Sequence, residues 1–190
     1  MLKSITVFCG SASTCPAEYT EMAEHVGRTI ARQGRSLIYG SGSRGLMGQT
    51  ARAALEEGGH VVGVNTRRFE KSVYTLDVSE YVMTETMQDR KVTMMDRGDA
   101  CVILPGGIGT LDEATEIFSL AQLGIIDKPF GVLNMNHFYD GFLLQVERMH
   151  QDNFLKEKDY KRLIVAEDIE TLLRLLDEDA QQRGGRHDSL

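Results

Sequence analysis

Short apolar runs alternate along this chain with segments in which apolar residues recur at helical spacing. The short runs predict strands, and the periodic segments predict amphipathic helices. The predicted strands are Ile5–Cys9, Leu37–Tyr39, His60–Val64, Tyr81–Thr84, 100–104, Phe130–Leu133 and Ile164–Val165. The predicted helices are Ala17–Gln33, Leu46–Glu57, Met87–Arg97, Thr110–Leu123, Phe138–Met149 and Ile169–Asp177. This alternation predicts an α/β, three-layer fold in which a mostly parallel sheet lies between helices.

Two segments lie outside this alternation. The segment Arg67–Ser79 lacks periodicity and is predicted to form a mobile loop near the ligand site. Residues 181–190 are polar and contain glycine, which predicts a frayed tail. Because 190 residues is the length of one domain, residues 1–180 are predicted to form a single domain. The apolar run Ile5–Cys9 is too short for a signal peptide or a membrane span, so we expect no membrane partner.

Charge and cysteine content narrow the class of protein. A net charge of -7 disfavours a nucleic-acid partner, which would need a basic face. It remains compatible with an anionic small ligand, because a pocket needs only local positive potential. The three cysteines, Cys9, Cys15 and Cys101, cannot all pair, and a reducing cytoplasm is their simplest setting. The five histidines lack metal-ligand spacing, so no metal site is expected.

A first glycine turn, Gly40–Gly45, matches G-x-G-x-x-G between a predicted strand and a predicted helix. A dinucleotide site would also place an acidic residue at the end of the next strand, to hold the ribose. That strand ends in Asn65-Thr66, which disfavours NAD. Two interpretations of the turn remain open. Gly42 and Gly45 could form part of a phosphate cradle, or the glycines could only allow close packing of helix and strand.

A second glycine turn follows the apolar run 100–104, where Pro105 and three glycines precede a helical pattern. Glycines let the backbone approach a ligand, and a helix start attracts anions. Two such turns at the carboxyl edge of a parallel sheet suit a monophosphate. Glu113 lies in the first turn of the predicted helix, where it could act in catalysis. It could instead complete a capping box with Thr110, and a capping box accepts glutamine at this position.

The predicted helix Met87–Arg97 carries a second candidate. At helical spacing Arg90 and Lys91 share a sector with Met87 and Met94, so Arg90 flanks an apolar stripe. A guanidinium fixed at the crevice could contact an oxyanion or a purine edge in bidentate fashion. The alternative is an arginine whose stem covers apolar surface, or one in an ion pair within the helix layer.

These motifs resemble those of the LONELY GUY (LOG) family, the cytokinin riboside 5′-monophosphate phosphoribohydrolases that often carry the label lysine decarboxylase. Its P-G-G-x-G-T-x-x-E motif is matched in full by Pro105–Glu113. Its upstream M-x-x-R-K-x-x-M motif is matched by Met87–Met94. The resemblance covers roughly Ile5 to Leu144. Relatives often place proline at Thr66 and an aromatic residue at Ile108, departures that leave the choice between AMP and a cytokinin nucleotide open.

The resemblance implies a Rossmann-like fold, a homodimer and hydrolysis of a purine nucleoside 5′-monophosphate to free base and ribose 5-phosphate. Its catalytic residues correspond to Arg90 and Glu113. Its substrate-binding residues correspond to Lys91, Gly107, Gly109, Thr110 and Ser119, to which the first glycine turn adds Gly42 and Gly45.

Two other functions are weighed against this one. A carrier of a nucleotide or of the molybdenum cofactor, on the same fold, would share the glycine turns but need no hydrolytic pair. A lysine decarboxylase would need a pyridoxal-binding lysine. No lysine of the sequence stands in a recognisable context for that role, so no cofactor is expected.

Overall fold

The computed structural model describes residues 1–70 and 75–187, with side chains as far as Arg183. Seven strands form one sheet, in the order β4-β3-β2-β1-β5-β6-β7, and every pair is parallel. The strands are β1 Ser4–Phe8, β2 Ser36–Tyr39, β3 Val61–Thr66, β4 Glu80–Thr84, β5 Ala100–Ile103, β6 Phe130–Leu133 and β7 Leu163–Ala166. The helices are α1 Ala17–Arg32, α2 Gly45–Glu56, α3 Met87–Arg97, α4 Ile108–Gln122, α5 Asp140–Gln151, α6 Glu157–Tyr160 and α7 Ile169–His187. The α/β three-layer prediction is therefore confirmed, with a fully parallel sheet.

The two faces of the sheet bury separate apolar cores. One core joins alternate strand residues such as Ile5 and Val7 to α1, α2 and α7. The other joins Phe8 and Ile103 to α3, α4 and α5. Residues pointing to both faces are apolar because helices cover both, and this produces the unbroken apolar runs of the sequence. Among the described residues, no helix is both long and apolar enough to cross a membrane.

The order of the strands reverses at β1. The chain adds β2, β3 and β4 on one side of β1 and then returns to add β5, β6 and β7 on the other. In open parallel sheets, a ligand crevice forms beside such a reversal, at the carboxyl ends of the strands. The loops after β1 and β5 meet there, and Gly10 N donates to Pro105 O at 3.1 Å.

Several predicted boundaries are wrong in informative ways. The fourth helix begins at Ile108 and not at Thr110, so part of the glycine turn belongs to its first turn. The last helix passes its predicted end and continues to His187, where a frayed tail was expected from residue 181. Arg183 supports this extension through Asp127 Oδ1 at 2.6 Å and Asp179 on its own helix. In the expected loop Arg67–Ser79, Arg67–Phe69 form a 3₁₀ turn, and residues 71–74 lie outside the described residues.

Candidate active site

A cavity of about 430 Å³ opens at the carboxyl edge of the sheet, across the ends of β5, β1, β2 and β3. Its walls combine glycines from three strand ends with polar and apolar side chains. They are Cys9, Gly10, Ser11, Gly40, Gly42, Met47, Asn65, Phe69, Met87, Arg90, Gly107, Gly109, Thr110 and Glu113. Six of the fourteen residues are glycines of the two turns or the arginine and glutamate singled out from the sequence, and Thr110 is a seventh residue predicted from the sequence motif.

Arg90 enters this cavity from the first turn of α3. The helix starts in a capping box that the sequence analysis missed, in which Thr86 Oγ1 accepts from Asp89 N and Asp89 accepts from Thr86 N. The Arg90 side chain is only 9% exposed. Its Nε donates to Val64 O at 3.1 Å and its Nη2 to Gly40 O at 2.9 Å. Two strand ends therefore hold the guanidinium, and burial lowers its pKa.

Glu113 faces Arg90 from α4, with 3.7 Å between its Oε1 and Arg90 Nη1. Its side chain is 14% exposed. Burial raises the pKa of this carboxyl to about 7, against the opposing effect of Arg90. The capping-box interpretation is wrong at this position, because the N-cap is Gly107 and makes no side-chain hydrogen bond. Thr110 and Glu113 both lie inside the helix.

The start of α4 forms the backbone wall of the cavity. Leu111 N donates to Gly107 O at 3.1 Å, so the N–H groups before it belong to the open first turn. A Cβ added at Gly107 or Gly109 would meet nothing within 4 Å, whereas one at Gly106 would overlap Thr110 Oγ1. At Gly107 and Gly109, where the cavity meets the start of the helix, no side chain covers the backbone. This is the arrangement that binds phosphate groups at helix N-termini.

The first glycine turn contributes less to the cavity than the cradle interpretation predicted. Gly42 lines the cavity, whereas Gly45 lies outside it, at the start of α2. The helix start is already occupied, since Leu46 N donates to Gly10 O at 3.0 Å and Met47 N at 3.4 Å. A Cβ at Gly45, where φ is +59°, would collide with the backbone of Ser11. For Gly45 the structure therefore supports close packing and not a phosphate cradle.

Lys91 and Ser119, predicted to contact the substrate, lie outside the cavity walls of this chain. Lys91 leaves α3 on the opposite side of the methionine stripe from Arg90. Its Nζ lies 3.0 Å from Asp112 Oδ2 and 2.7 Å from Glu116 Oε2, both on α4. Ser119 is exposed on α4, more than a turn beyond Glu113. Of the predicted site residues, the structure brings together Arg90, Glu113, Gly42, Gly107, Gly109 and Thr110.

Eight cavity residues were not among the predicted site residues: Cys9, Gly10, Ser11, Gly40, Met47, Asn65, Phe69 and Met87. Met47, Phe69 and Met87 give the cavity apolar walls. Asn65 is a buried polar group at the end of β3, the position where the sequence analysis noted only a missing carboxylate. Cys9 also lines the cavity, but burial raises the pKa of its thiol and keeps it protonated. Among the described residues, no group of three or more His, Cys, Asp or Glu side chains is placed to hold a metal ion.

Solved structures with the same architecture include the molybdenum cofactor binding protein of Rippkaea orientalis. It matches with a TM-score of 0.70 at 19% identity, over 94% of this chain and 97% of that one. The molybdenum cofactor carrier protein of Chlamydomonas reinhardtii matches with a TM-score of 0.67 at 20% identity, over 94% of this chain and 98% of that one. Fold and site together define a Rossmann-like α/β protein with a ligand cavity at the carboxyl edge of its sheet.

Sequence comparison then places the chain in a family. A family model described as "Possible lysine decarboxylase" matches residues 47–176. A cytokinin riboside 5′-monophosphate phosphoribohydrolase of Rhodococcoides fascians is 40% identical, over 88% of this chain and 86% of that protein. One from Oryza sativa subsp. japonica is 39% identical over 86% of this chain and 68% of that protein. The chain belongs to the LONELY GUY (LOG) family.

Proposed function

We propose that this chain hydrolyses the N-glycosidic bond of a purine ribonucleoside 5′-monophosphate, either AMP or an N6-modified, cytokinin-type nucleotide. The products are the free base and ribose 5-phosphate. One observation carries the proposal: Arg90 Nη1 and Glu113 Oε1 lie 3.7 Å apart in a cavity that also contains an open helix start. The phosphoribohydrolase activity for which the relatives from Rhodococcoides fascians and Oryza sativa are named supports the same reaction.

Glu113 is the proposed catalytic carboxylate. When the bond between C1′ and the base nitrogen breaks, the electron pair leaves with the base and positive charge develops on the ribose. An ionised Glu113 stabilises that charge and orients the water whose oxygen bonds to C1′. Glu113 accepts one proton from that water, and the departing base takes up one proton from solvent. Because its pKa is about 7, Glu113 can accept a proton near neutral pH.

Arg90 and the helix start are proposed to hold the substrate. The guanidinium, fixed by Gly40 O and Val64 O, presents Nη1 toward the cavity and helps the departing base accept electron density. Gly107, Gly109 and Thr110 bind the 5′-phosphate through the start of α4. The phosphate lies away from the bond that breaks, and the free energy of binding it helps to orient the reacting centre. Lys91 acts indirectly, because its pairs with Asp112 and Glu116 tie α3 to α4 and fix the spacing of Arg90 and Glu113.

The donor set of the cavity argues against amino-acid decarboxylation, which needs a lysine to bind pyridoxal. No lysine is among the described residues that line the cavity. Lys91 is held by two carboxylates, and Lys128 donates to the carbonyls of Met95, Asp96 and Gly98.

The test is incubation of the purified full chain with AMP and with N6-isopentenyl-AMP, followed by chromatography. Appearance of free base and ribose 5-phosphate in equal amounts, lost in Glu113→Gln, supports the proposal. Binding without release of base contradicts it and favours a carrier. Release of CO₂ from lysine in place of base from nucleotide would favour the decarboxylase.

We also propose a homodimer that forms through α4. Ile108 is 83% exposed, Leu123 is 70% exposed and Ile125, just beyond the helix, is 65% exposed. Exposed apolar residues along one helix are typical of a partner surface. Sedimentation of the wild type at micromolar concentration should give a dimer, and Leu123→Lys should give a monomer. Phe154→Lys, at an equally exposed site after α5, is the control and should leave the dimer intact.

Three broader proposals accompany this function. Residues 1–180 act as one nucleotide-binding domain. Both apolar cores pack against the same sheet, and one of them extends from β1 to α7. Nucleic acid is not a partner, and the net charge of -7 supports this. The protein works in the cytoplasm, where its three free thiols, Cys9, Cys15 and Cys101, would remain reduced.

A further inference from the structure

Asn65 is the buried polar side chain of the cavity that the reaction scheme leaves without a role. It lies at the carboxyl end of β3 and is 2% exposed. Its backbone is tied to the site, because Val64 O accepts from Arg90 Nε and Asn65 O accepts from Thr84 Oγ1 at 2.9 Å. A buried amide beside the arginine is costly unless its hydrogen-bonding groups are used.

Two neighbours hold the Asn65 amide, and the Thr66 N–H fixes its orientation. Its Oδ1 accepts from Thr66 N at 2.8 Å, and its Nδ2 donates to Tyr81 Oη at 2.9 Å. Rotating the amide by half a turn would set its NH₂ group against the Thr66 N–H, a contact between two donors. Since an amide has two donor and two acceptor positions, one donor and one acceptor remain for a ligand.

The position of Asn65 in the sheet fits contact with the base of the substrate. The proposed phosphate site lies at the start of α4, after β5, and β1 and β2 separate β5 from β3. A nucleotide with its phosphate at α4 and its ribose beside the Arg90–Glu113 pair therefore extends its base toward β3. The side chains of Met47, Phe69 and Met87 supply apolar walls in that cavity.

We propose that Asn65 is a specificity-determining residue that binds the N6–H and N7 edge of a 6-aminopurine, and that Tyr81 positions it. This inference rests on the proposed function for the placing of phosphate and ribose. An asparagine amide pairs with adenine N6 and N7 through one acceptor and one donor. A 6-oxopurine instead presents a carbonyl oxygen to Oδ1, and the locked amide cannot rotate to accommodate it. An N6-substituted adenine keeps one N–H and remains a substrate.

Initial rates with AMP and IMP test the proposal on the purified full chain. The wild type should show a kcat/KM for AMP about 10- to 100-fold above that for IMP. Asn65→Ala and the similarly sized Asn65→Leu should each reduce this ratio to about threefold or less, mainly by loss of activity on AMP. Asn65→Leu keeps the volume filled, so a fold defect in the alanine variant does not prevent the test.

Two further variants separate recognition from structure. Tyr81→Phe removes one of the two anchors, so it should raise the KM for AMP, lower the AMP to IMP ratio in part and leave kcat unchanged. An unchanged ratio would overturn the positioning role of Tyr81. Asn134→Ala is the matched control: Asn134 is 6% exposed after β6, accepts from Tyr139 N and donates to Asp140 Oδ1. It should lower stability without changing the ratio.

The outcomes distinguish this inference from the proposed function. The inference is overturned, and the proposed function stands, if AMP is hydrolysed and the ratio of kcat/KM for AMP to that for IMP is the same in the wild type, Asn65→Ala and Asn65→Leu. If no nucleotide is hydrolysed, the proposed function fails, and calorimetric titration with AMP and IMP decides the inference alone. A binding preference for AMP that both Asn65 variants lose then supports it, and equal binding by all three proteins overturns it.

Discussion

Arg90 Nη1 lies 3.7 Å from Glu113 Oε1, while the Nε and Nη2 atoms of the same guanidinium are held by Val64 O and Gly40 O. The backbone carbonyls hold the cation at the strand ends. Burial of Glu113 outweighs the attraction of Arg90, and the pKa of Glu113 rises to about 7. The cavity thus holds a permanent cation beside an acid that titrates near neutral pH.

The first prediction concerns the pH dependence of hydrolysis. Since the ionised carboxylate stabilises the ribose cation, kcat/KM for AMP should rise with pH through an inflection near 7. Glu113→Gln should abolish that inflection and lower kcat about 100-fold or more. Glu147→Gln, on α5 and outside the cavity, should keep the inflection. A wild-type profile that is flat from pH 5 to pH 9 would contradict the role of Glu113.

The same raised pKa predicts how stability changes with pH. The folded-state pKa of Glu113 is about 7 and its ordinary value is 4.5, so between these values the folded state binds the proton more tightly. This contribution to stability is complete below pH 4.5 and decreases as pH rises toward 7. Glu113→Gln removes the penalty of burying the charge. The free energy of unfolding of the variant should exceed that of the wild type by on the order of 3 kcal/mol at pH 8, and the two should be equal near pH 4. Denaturant unfolding at the two pH values measures the difference.

Substitution of Arg90 should affect both stability and ionisation. Arg90→Ala leaves the buried carbonyls of Gly40 and Val64 without their donor, which should cost about 2 kcal/mol or more. It also removes the charge that lowers the pKa of Glu113, so the inflection of any residual activity should move above pH 7. Arg90→Lys keeps a positive charge but cannot reproduce the planar fork. It should retain most of the stability and lose most of the turnover. Normal AMP hydrolysis by either variant would contradict the assignment.

The sequence predicted the sheet well because both of its faces are covered. Runs such as 100–104 are apolar throughout, and a buried parallel strand is the element that requires this. The start of α4 was misplaced because glycine and isoleucine are poor helix formers, and local preference gave no reason to include Ile108 and Gly109. The end of α7 was missed because Arg183 stabilises it partly through Asp127, a residue distant in the sequence.

The site was predicted where its geometry follows from strand ends and was missed where it depends on side-chain contacts between elements. Arg90 and Glu113 belong to helices that border the same carboxyl edge, so their meeting could be expected. The separation of the Lys91 ammonium from the Arg90 guanidinium could not be expected from the sequence. It depends on Asp112 and Glu116, which pair with the ammonium from α4. Asn65 also depends on a contact between elements, because its Nδ2 donates to Tyr81 on the adjacent strand β4, where Tyr81 pairs with Gly63. No local pattern marks that pair.

The last prediction separates the glycines that bind phosphate from those that allow the chain to fold. A Cβ at Gly109 meets no protein atom within 4 Å, and Gly109 lines the cavity where the phosphate is proposed to bind. Gly109→Ala should therefore raise the KM for AMP about 10-fold, by the loss of one good hydrogen bond to a charged group. Its stability should equal that of the wild type or exceed it by up to about 1 kcal/mol, because alanine is the better helix former.

Gly106→Ala is the matched contrast within the same turn. Its Cβ would overlap Thr110 Oγ1 and lie 2.8 Å from Gly10 N, so the contact between the β1 and β5 loops must shift. We expect it to lower the melting temperature, whereas Gly109→Ala should not. Inorganic phosphate should raise the melting temperature of the wild type and have little effect on Gly109→Ala, because it binds the same helix start. Equal stabilisation of both proteins by phosphate, with an unchanged KM for AMP, would remove the start of α4 from the substrate site.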